Sequence, residues 1–576
     1  MPRFEGLQVL IIASDSKLRA QLRNMLSSFG FGTMHFAVTA HTALRHLRAH
    51  RYELILCDFA LGDGQDGQHF LEDLRQHEII TNETLFVMIT AERNYECVVG
   101  AAELLPDDYI LTPLSPGALQ ARLGRVVDRR DALLPAWQLA AIGDWLGAIE
   151  YCLEAETVYP QYLLDFYRLE AGFHIAAGQL GEAEAIYRQI AESQHIPWAQ
   201  LGLARCLAFK KDYSGADALL SGLIVSNANF MAAYDLLARV RAESGQAEAA
   251  CEVLHTATER SPYRLSRQRR LGELAMEAGD AATAEAALAE VVRQSMNSGF
   301  RDPEDHVRLA QAQLAQDKTD AARNTISDIE RSLGEQPNAA LCNALANAML
   351  HAHTGNARET RVELSIATSL AGSGTALSPG LSRELVKACF DHDMRAAGSE
   401  VVLNALRVTG DEQTINALRG LLQSRGLELL SQSIEQNVQE EVRNLIKAGA
   451  EKARLGNYSG AVEAMMDAVR QMPGHPVVLF NAALALLRHI EHRGWNHTFA
   501  NQARSLIERA RALDPASARL STLAEYMHML IGRNGIAADN LAKPAHHTSR
   551  KTAYGGKTPI THKQDISLKR KSAMAF

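Results

Sequence analysis

Three side chains stand at the ends of short apolar runs, where they could act on a ligand together. Asp58 follows Leu54-Ile55-Leu56-Cys57, Thr90 follows Leu85-Phe86-Val87-Met88-Ile89, and Tyr109 opens the run Tyr109-Ile110-Leu111 that leads into Thr112-Pro113. Continuous apolar runs of this length suit central strands of a parallel sheet covered on both faces. Ligand chemistry in such sheets sits at the carboxyl ends of the strands, so an acid, a hydroxyl and a phenol are expected to share one crevice. Further along, Arg168, Arg205, Arg239 and Arg269 carry guanidinium forks matched to carboxylates, such as an acidic peptide or a terminal carboxylate. His489, His492 and His497 surround Arg493-Gly494-Trp495, but no cysteine or carboxylate lies at a ligand-like spacing beside them, and no metal is expected there. The chain has no phosphate-binding P-loop, H-E-x-x-H, nucleophile elbow or kinase motif set, so no enzyme is expected.

The elements that must position these residues begin with Val9-Leu10-Ile11-Ile12, a further buried strand. Leu18, Leu22, Met25 and Leu26 then recur at helical spacing, and Gly30 stops that helix. Strands alternating with helices imply right-handed crossovers and a doubly wound α/β sheet.

Across residues 7–128 the chain resembles the receiver domain of two-component response regulators, a flavodoxin-like fold. The resemblance is carried by Leu54-Ile55-Leu56-Cys57-Asp58, by Asp66-Gly67, by Ile89-Thr90-Ala91 and by Tyr109-Ile110-Leu111-Thr112-Pro113. It implies that Asp58 is the phospho-acceptor and that Thr90 and Tyr109 are the switch pair. Two positions depart from the pattern. The acidic pair that helps hold Mg²⁺ is replaced by Ala13-Ser14, with Asp15 one position beyond, and the phosphate-pairing lysine is replaced by Thr112. Phosphoryl transfer needs a metal and fixed positive charge to offset the charge on the moving group. A degenerate receiver that does not cycle efficiently is therefore expected. It would have a weak Mg²⁺ site at Asp58 and Asp15 only if phosphorylation occurs, and no other cofactor.

From residue 131 the pattern changes to helix pairs. A turn residue followed five positions later by a small residue recurs as Gly143/Ala148, Gly178/Ala183, Lys211/Ala216, Gly245/Ala250 and Gly279/Ala284, and the intervals between turns are 35, 33, 34 and 34. Looser copies follow at Asp317/Ala322, Gly355/Thr360, His392/Ala397, Gly456/Ala461 and Thr498/Ala503. Small residues seven positions before the turn, and prolines such as Pro160, Pro262, Pro473 and Pro515 seventeen after it, keep the same register. This resembles the tetratricopeptide repeat over residues 131–520, which implies an all-α superhelix whose first helices line an extended concave surface for protein partners. At the groove-facing offsets lie Arg168 and Arg269, and Arg205 and Arg239.

The expected organisation is a receiver-like domain at 1–128, repeats at 131–404, a degenerate repeat or spacer helix at 405–440, further repeats and a capping helix at 441–535, and a disordered basic tail at 541–576. No Gly/Ser-rich linker separates receiver from repeats, so a rigid junction is expected.

Eight Lys or Arg against Asp565 give that tail a charge of +7; removing it from the net −8 leaves about −15 on residues 1–540. An acidic body argues against general nucleic-acid binding. Seven cysteines (57, 97, 152, 206, 251, 342, 389) are scattered singly, without a C-x-x-C pair, and no run approaches the length of a membrane span or a secretory core. A cytoplasmic, bacterial-type signalling adaptor is expected, with one partner protein in the repeat groove and a kinase or other docking protein on the receiver. The alternatives are a working phosphorelay response regulator phosphorylated on Asp58, and a DNA-binding regulator acting through the basic tail.

Overall fold

The structure is a computed structural model that describes residues 4–62, 66–90, 106–372, 377–410 and 412–536. The basic stretch 541–576 and Cys97 lie outside these residues.

The first part alternates strand and helix: β1 (Gln8–Ile12), α1 (Ser16–Phe29), β2 (Thr33–Ala37), α2 (Ala40–Ala49), β3 (Leu54–Asp58), α3 (Gly67–Gln76), β4 (Leu85–Thr90) and β5 (Asp108–Leu111). The five strands are parallel in the order β2-β1-β3-β4-β5. Side chains alternate across the sheet. Leu10, Ile12, Ile55, Cys57, Phe86 and Met88 pack against α2 and α3, whereas Val9, Ile11, Leu54, Leu56, Val87 and Ile89 pack toward α1 and the helix after β5. Cover on both faces is why β3 and β4 read as unbroken apolar runs. β2 is an edge strand with the sequence TMHFA and Phe36 37% exposed, so it carries no such run and escapes a search for one.

α4 (Pro116–Ala141) follows β5 as one helix of 26 residues, capped by the Ser115 hydroxyl and opened by Pro116. Its first half packs Leu119, Leu123 and Val127 on the sheet, and its second half buries Leu133, Ala136 and Leu139 in the helical part. The junction is thus continuous helix, with Pro135 inside it.

Helical hairpins follow in pairs: α4 with α5 (Trp145–Val158), α6 (Leu163–Ala176) with α7 (Leu180–Gln194), α8 (Pro197–Phe209) with α9 (Tyr213–Ser226), and α10 (Met231–Glu243) with α11 (Ala247–Arg260). Next come α12 (Leu265–Glu277) with α13 (Ala281–Gln294), α14 (Pro303–Leu314) with α15 (Thr319–Leu333), α16 (Ala339–His353) with α17 (Ala357–Gly372), and α18 (Pro379–Asp391) with α19 (Arg395–Val408). The turns at Gly143, Gly178, Gly245, Gly279 and Gly355 have positive φ, the region where glycine escapes the Cβ clash; Lys211 and Asp317 adopt it too. The small residues five positions on, from Ala148 to Ala322, are fully buried where the two helices meet.

Three sequence assignments in the later repeats shift. The eighth turn is at Asp393, φ 60°, not His392, and the buried small residue is Gly398 rather than Ala397. The turn assigned to Thr498 is at Gly494, φ 93°, because Asn496 caps a new helix and Thr498 lies inside it. Within 405–440 there is a further turn at Gly426, φ 69°, with Ser431 buried five positions on. It joins α20 (Glu412–Gln423) to α21 (Glu428–Arg454), a 27-residue helix that pairs with α20 on one side and with α22 (Tyr458–Gln471) on the other. One long helix serving two hairpins explains the stretched 64-residue interval. α23 (Pro476–Arg493), α24 (His497–Leu513) and α25 (Ala518–Arg533) complete the array.

The array does not end as an open groove. α25 packs on α5, the His528 ring lies 2.6 Å from the Asp144 carboxylate, Arg511 donates to the Ala176 carbonyl and stacks over Trp145, and Gly178 faces Leu520 so closely that a Cβ would approach to 2.8 Å. The apolar faces of the last helices are buried on the first hairpin, and the two ends share one core. The extended surface expected from the repeat pattern is therefore closed on itself: apolar faces left at two ends of one arc bury each other when its curvature brings them together.

Candidate functional site

At the carboxyl edge of the sheet, Asp58 ends β3, Thr90 ends β4 next to it, and Tyr109 lies on β5, so the structure brings the expected trio to neighbouring strands. Thr90 is buried, and Tyr109 packs inward against the face shared by Phe70 and Met88. Thr112 donates its amide to the Thr90 carbonyl at 2.8 Å, and the Thr112-Pro113 peptide is cis. Burial raises the Asp58 carboxyl above its ordinary value, the amides of Ala60 and Phe59 pull it back, and Asp15 adds a smaller upward push.

The positions around Asp58 are occupied by other contacts. Arg19 places one guanidinium nitrogen 2.6 Å from the Ala13 carbonyl and 2.8 Å from the Ser14 carbonyl, so a fixed cation sits where these residues turn. The Ser14 hydroxyl donates to the Ala60 carbonyl at 3.0 Å. Asp15 caps α1, accepting from the Lys17 amide at 2.9 Å. A Mg²⁺ ion prefers one or two carboxylates and several waters in near-octahedral array. Here Asp58 is half-buried, the Arg19 guanidinium takes up the Ala13 and Ser14 carbonyls, and the second acid is engaged in a helix cap; this donor set does not fit the ion.

The helix that follows Asp58 has a second role. Gly67 begins α3 directly on the Asp58 carbonyl, where a Cβ would come within 2.5 Å. Its apolar side chains Phe70, Leu71 and Leu74 pack on the sheet, yet Gln68, His69, Glu72 and Asp73 are buried as well, because the fifth hairpin covers their face. Glu72 accepts from the amides of Leu265 and Ser266 at 3.3 and 3.2 Å and from the Ser266 hydroxyl at 2.7 Å. It thereby caps α12, whose own cap residue, Arg264, makes no side-chain cap. Asp73 accepts from the Ser298 hydroxyl at 2.7 Å, the His69 Nε2 meets Gln294 at 2.9 Å, and His77 stacks on Phe300 with centroids 4.0 Å apart. Burial opposes charge on His69, but Asp66, 3.0 Å from its Nδ1, together with Glu72 and Gln294, outweighs it and raises the imidazole to about 9. These seam residues escape sequence reading, since a polar face on a short helix looks like any solvated face. The one signal is an arginine where α12 needs a cap.

The four repeat arginines do not form one cluster. Arg269 pairs with buried Asp305, Nε to Oδ1 at 2.6 Å and Nη2 to Oδ2 at 2.8 Å, and Arg239 pairs with Glu243 one turn on at 2.8 Å. Arg168 lies over the Trp198 ring, 6.0 Å from its centroid, and Arg205 is exposed on the next hairpin. A cavity of about 530 Å³ opens between α12, α14, α18 and α20, but its arginines pair with acids of its own lining: Arg270 and Arg308 with Glu273, and Arg383 with Glu277. The three loop histidines also separate. His489 meets Ser459, His492 stacks on Tyr458, and His497 accepts from the Trp495 indole. Among the described residues no helix is long and apolar enough to cross a membrane.

Comparison with known proteins agrees with this geometry. Residues 9–124 match the model of the response regulator receiver domain, and residues 174–240 match a tetratricopeptide repeat model. The chemotaxis protein CheY-3 of Vibrio cholerae is 26% identical over 125 residues, which is 22% of this chain and 95% of that protein. The KDP operon transcriptional regulatory protein KdpE of Escherichia coli is 32% identical over 128 residues, 22% of this chain and 54% of that protein. A solved tetratricopeptide repeat protein from Parabacteroides merdae is 11% identical, covers 46% of this chain and 99% of its own, and superposes with a TM-score of 0.35. Residues 9–124 thus match a receiver domain and residues 174–240 a tetratricopeptide repeat, and α4 runs as one continuous helix from the first part into the helical hairpins.

Proposed function

We propose that this protein is a cytoplasmic signalling adaptor that acts by binding rather than catalysis. The repeats hold a partner protein, and the receiver serves as a docking and bracing domain that does not cycle efficiently through phosphorylation. The observation that carries this reading is the set of contacts around Asp58: the Arg19 guanidinium on the Ala13 and Ser14 carbonyls, Asp15 turned to cap α1, and Thr112 in place of a cation. Metal and positive charge directed at the moving phosphoryl group are what offset its charge, whereas here Asp15 is held in the helix cap and the Arg19 guanidinium is taken up by two carbonyls. Incubation with acetyl phosphate and Mg²⁺, followed by intact-mass measurement, should leave the chain almost unlabelled. Stoichiometric labelling that disappears in Asp58→Asn would overturn the reading.

One observation favours the second reading, a working response regulator. α3 rests on the Asp58 carbonyl and is clamped to the fifth hairpin, so a charge added at Asp58 would press on the seam. In that case the same labelling experiment would be accompanied by faster amide exchange at Leu265 and Ser266.

A further inference from the structure

The four repeat arginines are of two kinds. Glu243 and Asp305 already take up the forks of Arg239 and Arg269. Arg168 and Arg205 are exposed, and among the described residues neither donates a hydrogen bond or forms an ion pair. The ring face of Trp198 attracts the Arg168 cation and fixes its plane, but it accepts none of the fork's N–H groups in the manner of a carboxylate. Trp198 and Arg205 are seven residues apart on α8, two turns along one face, so Arg205 projects from the same side that holds Arg168. Arg129, on α4, stands nearby with Asp165 at 2.7 Å as its partner, and that carboxylate lies three residues before Arg168 on α6. Three first helices in succession, α4, α6 and α8, thus each bring an arginine to this stretch, and one acid pairs with the first of them. Partial burial lowers the Arg168 value, Tyr187 and Asp165 push it back up, and Arg129 and Arg205 lower it, so two like charges and one carboxylate stand near it.

We infer that Arg168 and Arg205, with Arg129 beside them, receive an acidic segment of a partner protein whose carboxylates recur about every third residue. The inference rests on the adaptor reading and supplies its partner chemistry. Helices of neighbouring hairpins pack about 8–10 Å apart, and a segment in the polyproline II conformation advances about 3.1 Å per residue with three residues per turn, so acids three residues apart share one face and meet successive arginines. Each free fork can close on a carboxylate through two parallel hydrogen bonds.

The test uses the full chain and three fluorescent peptides of equal length in which Glu, Gln or Lys recurs at every third position between serines. Anisotropy should show the Glu peptide binding about tenfold or more tighter than the Gln peptide and weakening as salt rises. The pair Arg168→Gln with Arg205→Gln should lower that affinity about tenfold, and Arg239→Gln less than about twofold, with thermal unfolding checked for each variant. Arg168→Lys with Arg205→Lys, which keeps charge and loses the fork, should fall between them. Equal binding of the Glu and Gln peptides, or an equal loss in Arg239→Gln, overturns the inference. If the Glu peptide does not bind, whatever the Gln and Lys peptides do, this site falls and the adaptor reading is left to its labelling test. A single-stranded oligonucleotide that competes through the same two arginines more strongly than the Glu peptide reassigns the patch to nucleic acid and also overturns it.

Discussion

Asp58 and helix α3 lie within one short stretch of chain, and their polar groups have opposite surroundings. At the end of β3 the Asp58 carboxylate is half-buried, with Ala13, Ser14 and Thr112 at the neighbouring strand ends. A few residues later, His69, Glu72 and Asp73 are buried, and each meets a named group on the fifth hairpin or the loop that follows it. The contrast separates two uses of charge in one domain. Around Asp58 the acids are few and one of them caps a helix, whereas the groups that hold another part of the chain are satisfied, as buried polar atoms must be.

Restoring the missing groups gives the largest expected effect on this contrast. Ser14→Asp with Thr112→Lys should raise labelling by acetyl phosphate in Mg²⁺ about tenfold or more over the natural chain, read by intact mass. If labelling does not rise, clamping of α3 rather than the charge at these two positions sets the labelling of Asp58. The next effect lies on the other side of the comparison. Glu72→Ala removes the acceptor shared by Leu265 and Ser266 and leaves buried donors unpaired, which should cost about 2–4 kcal/mol in denaturant unfolding. Amide exchange at Leu265 and Ser266 should quicken in that variant, and unchanged exchange would show that the cap contributes little.

The smallest effect is pH-dependent. His69 is held at about 9, above the ordinary 6.5 of an imidazole, so the folded seam binds its proton more tightly than the unfolded chain does. Its contribution is complete below about pH 6.5 and is lost as pH rises through about 9. Thermal unfolding followed across that window should fall less steeply in His69→Gln than in the natural chain. Parallel slopes would mean that other groups set the trend.

Much of this architecture could be read from residue types because each signal is local. β3 and β4 are apolar along their whole length since both faces are covered, and the turn glycines recur because only the left-handed region closes a tight helical hairpin. β2 was harder to see, as an edge strand has one covered face and reads T-M-H-F-A. The turn at Gly426 was hidden because α21 continues for 27 residues through the place where a second helix would normally stop. At the site, Asp58, Thr90 and Tyr109 could be placed from their strands, whereas Arg19 could not, since its contacts are with backbone carbonyls that carry no residue identity. Closure of the array and the α3 seam depend on partners separated by hundreds of residues, such as Asp144 with His528 and His69 with Gln294, and no local pattern encodes such pairs.

α4 has a mechanical consequence. At 1.5 Å per residue its 26 residues form a rod about 39 Å long, anchored in the sheet at one end and in the first hairpin at the other. The receiver is also fastened to the fifth hairpin through His69 and Glu72, so it spans the arc of the first five hairpins as a strut spans a bow. A tilt of about 5° at the sheet would swing the far end of such a rod by about 3 Å, a displacement comparable with the length of a hydrogen bond. Strain entering at either fastening must bend the arc or break the other.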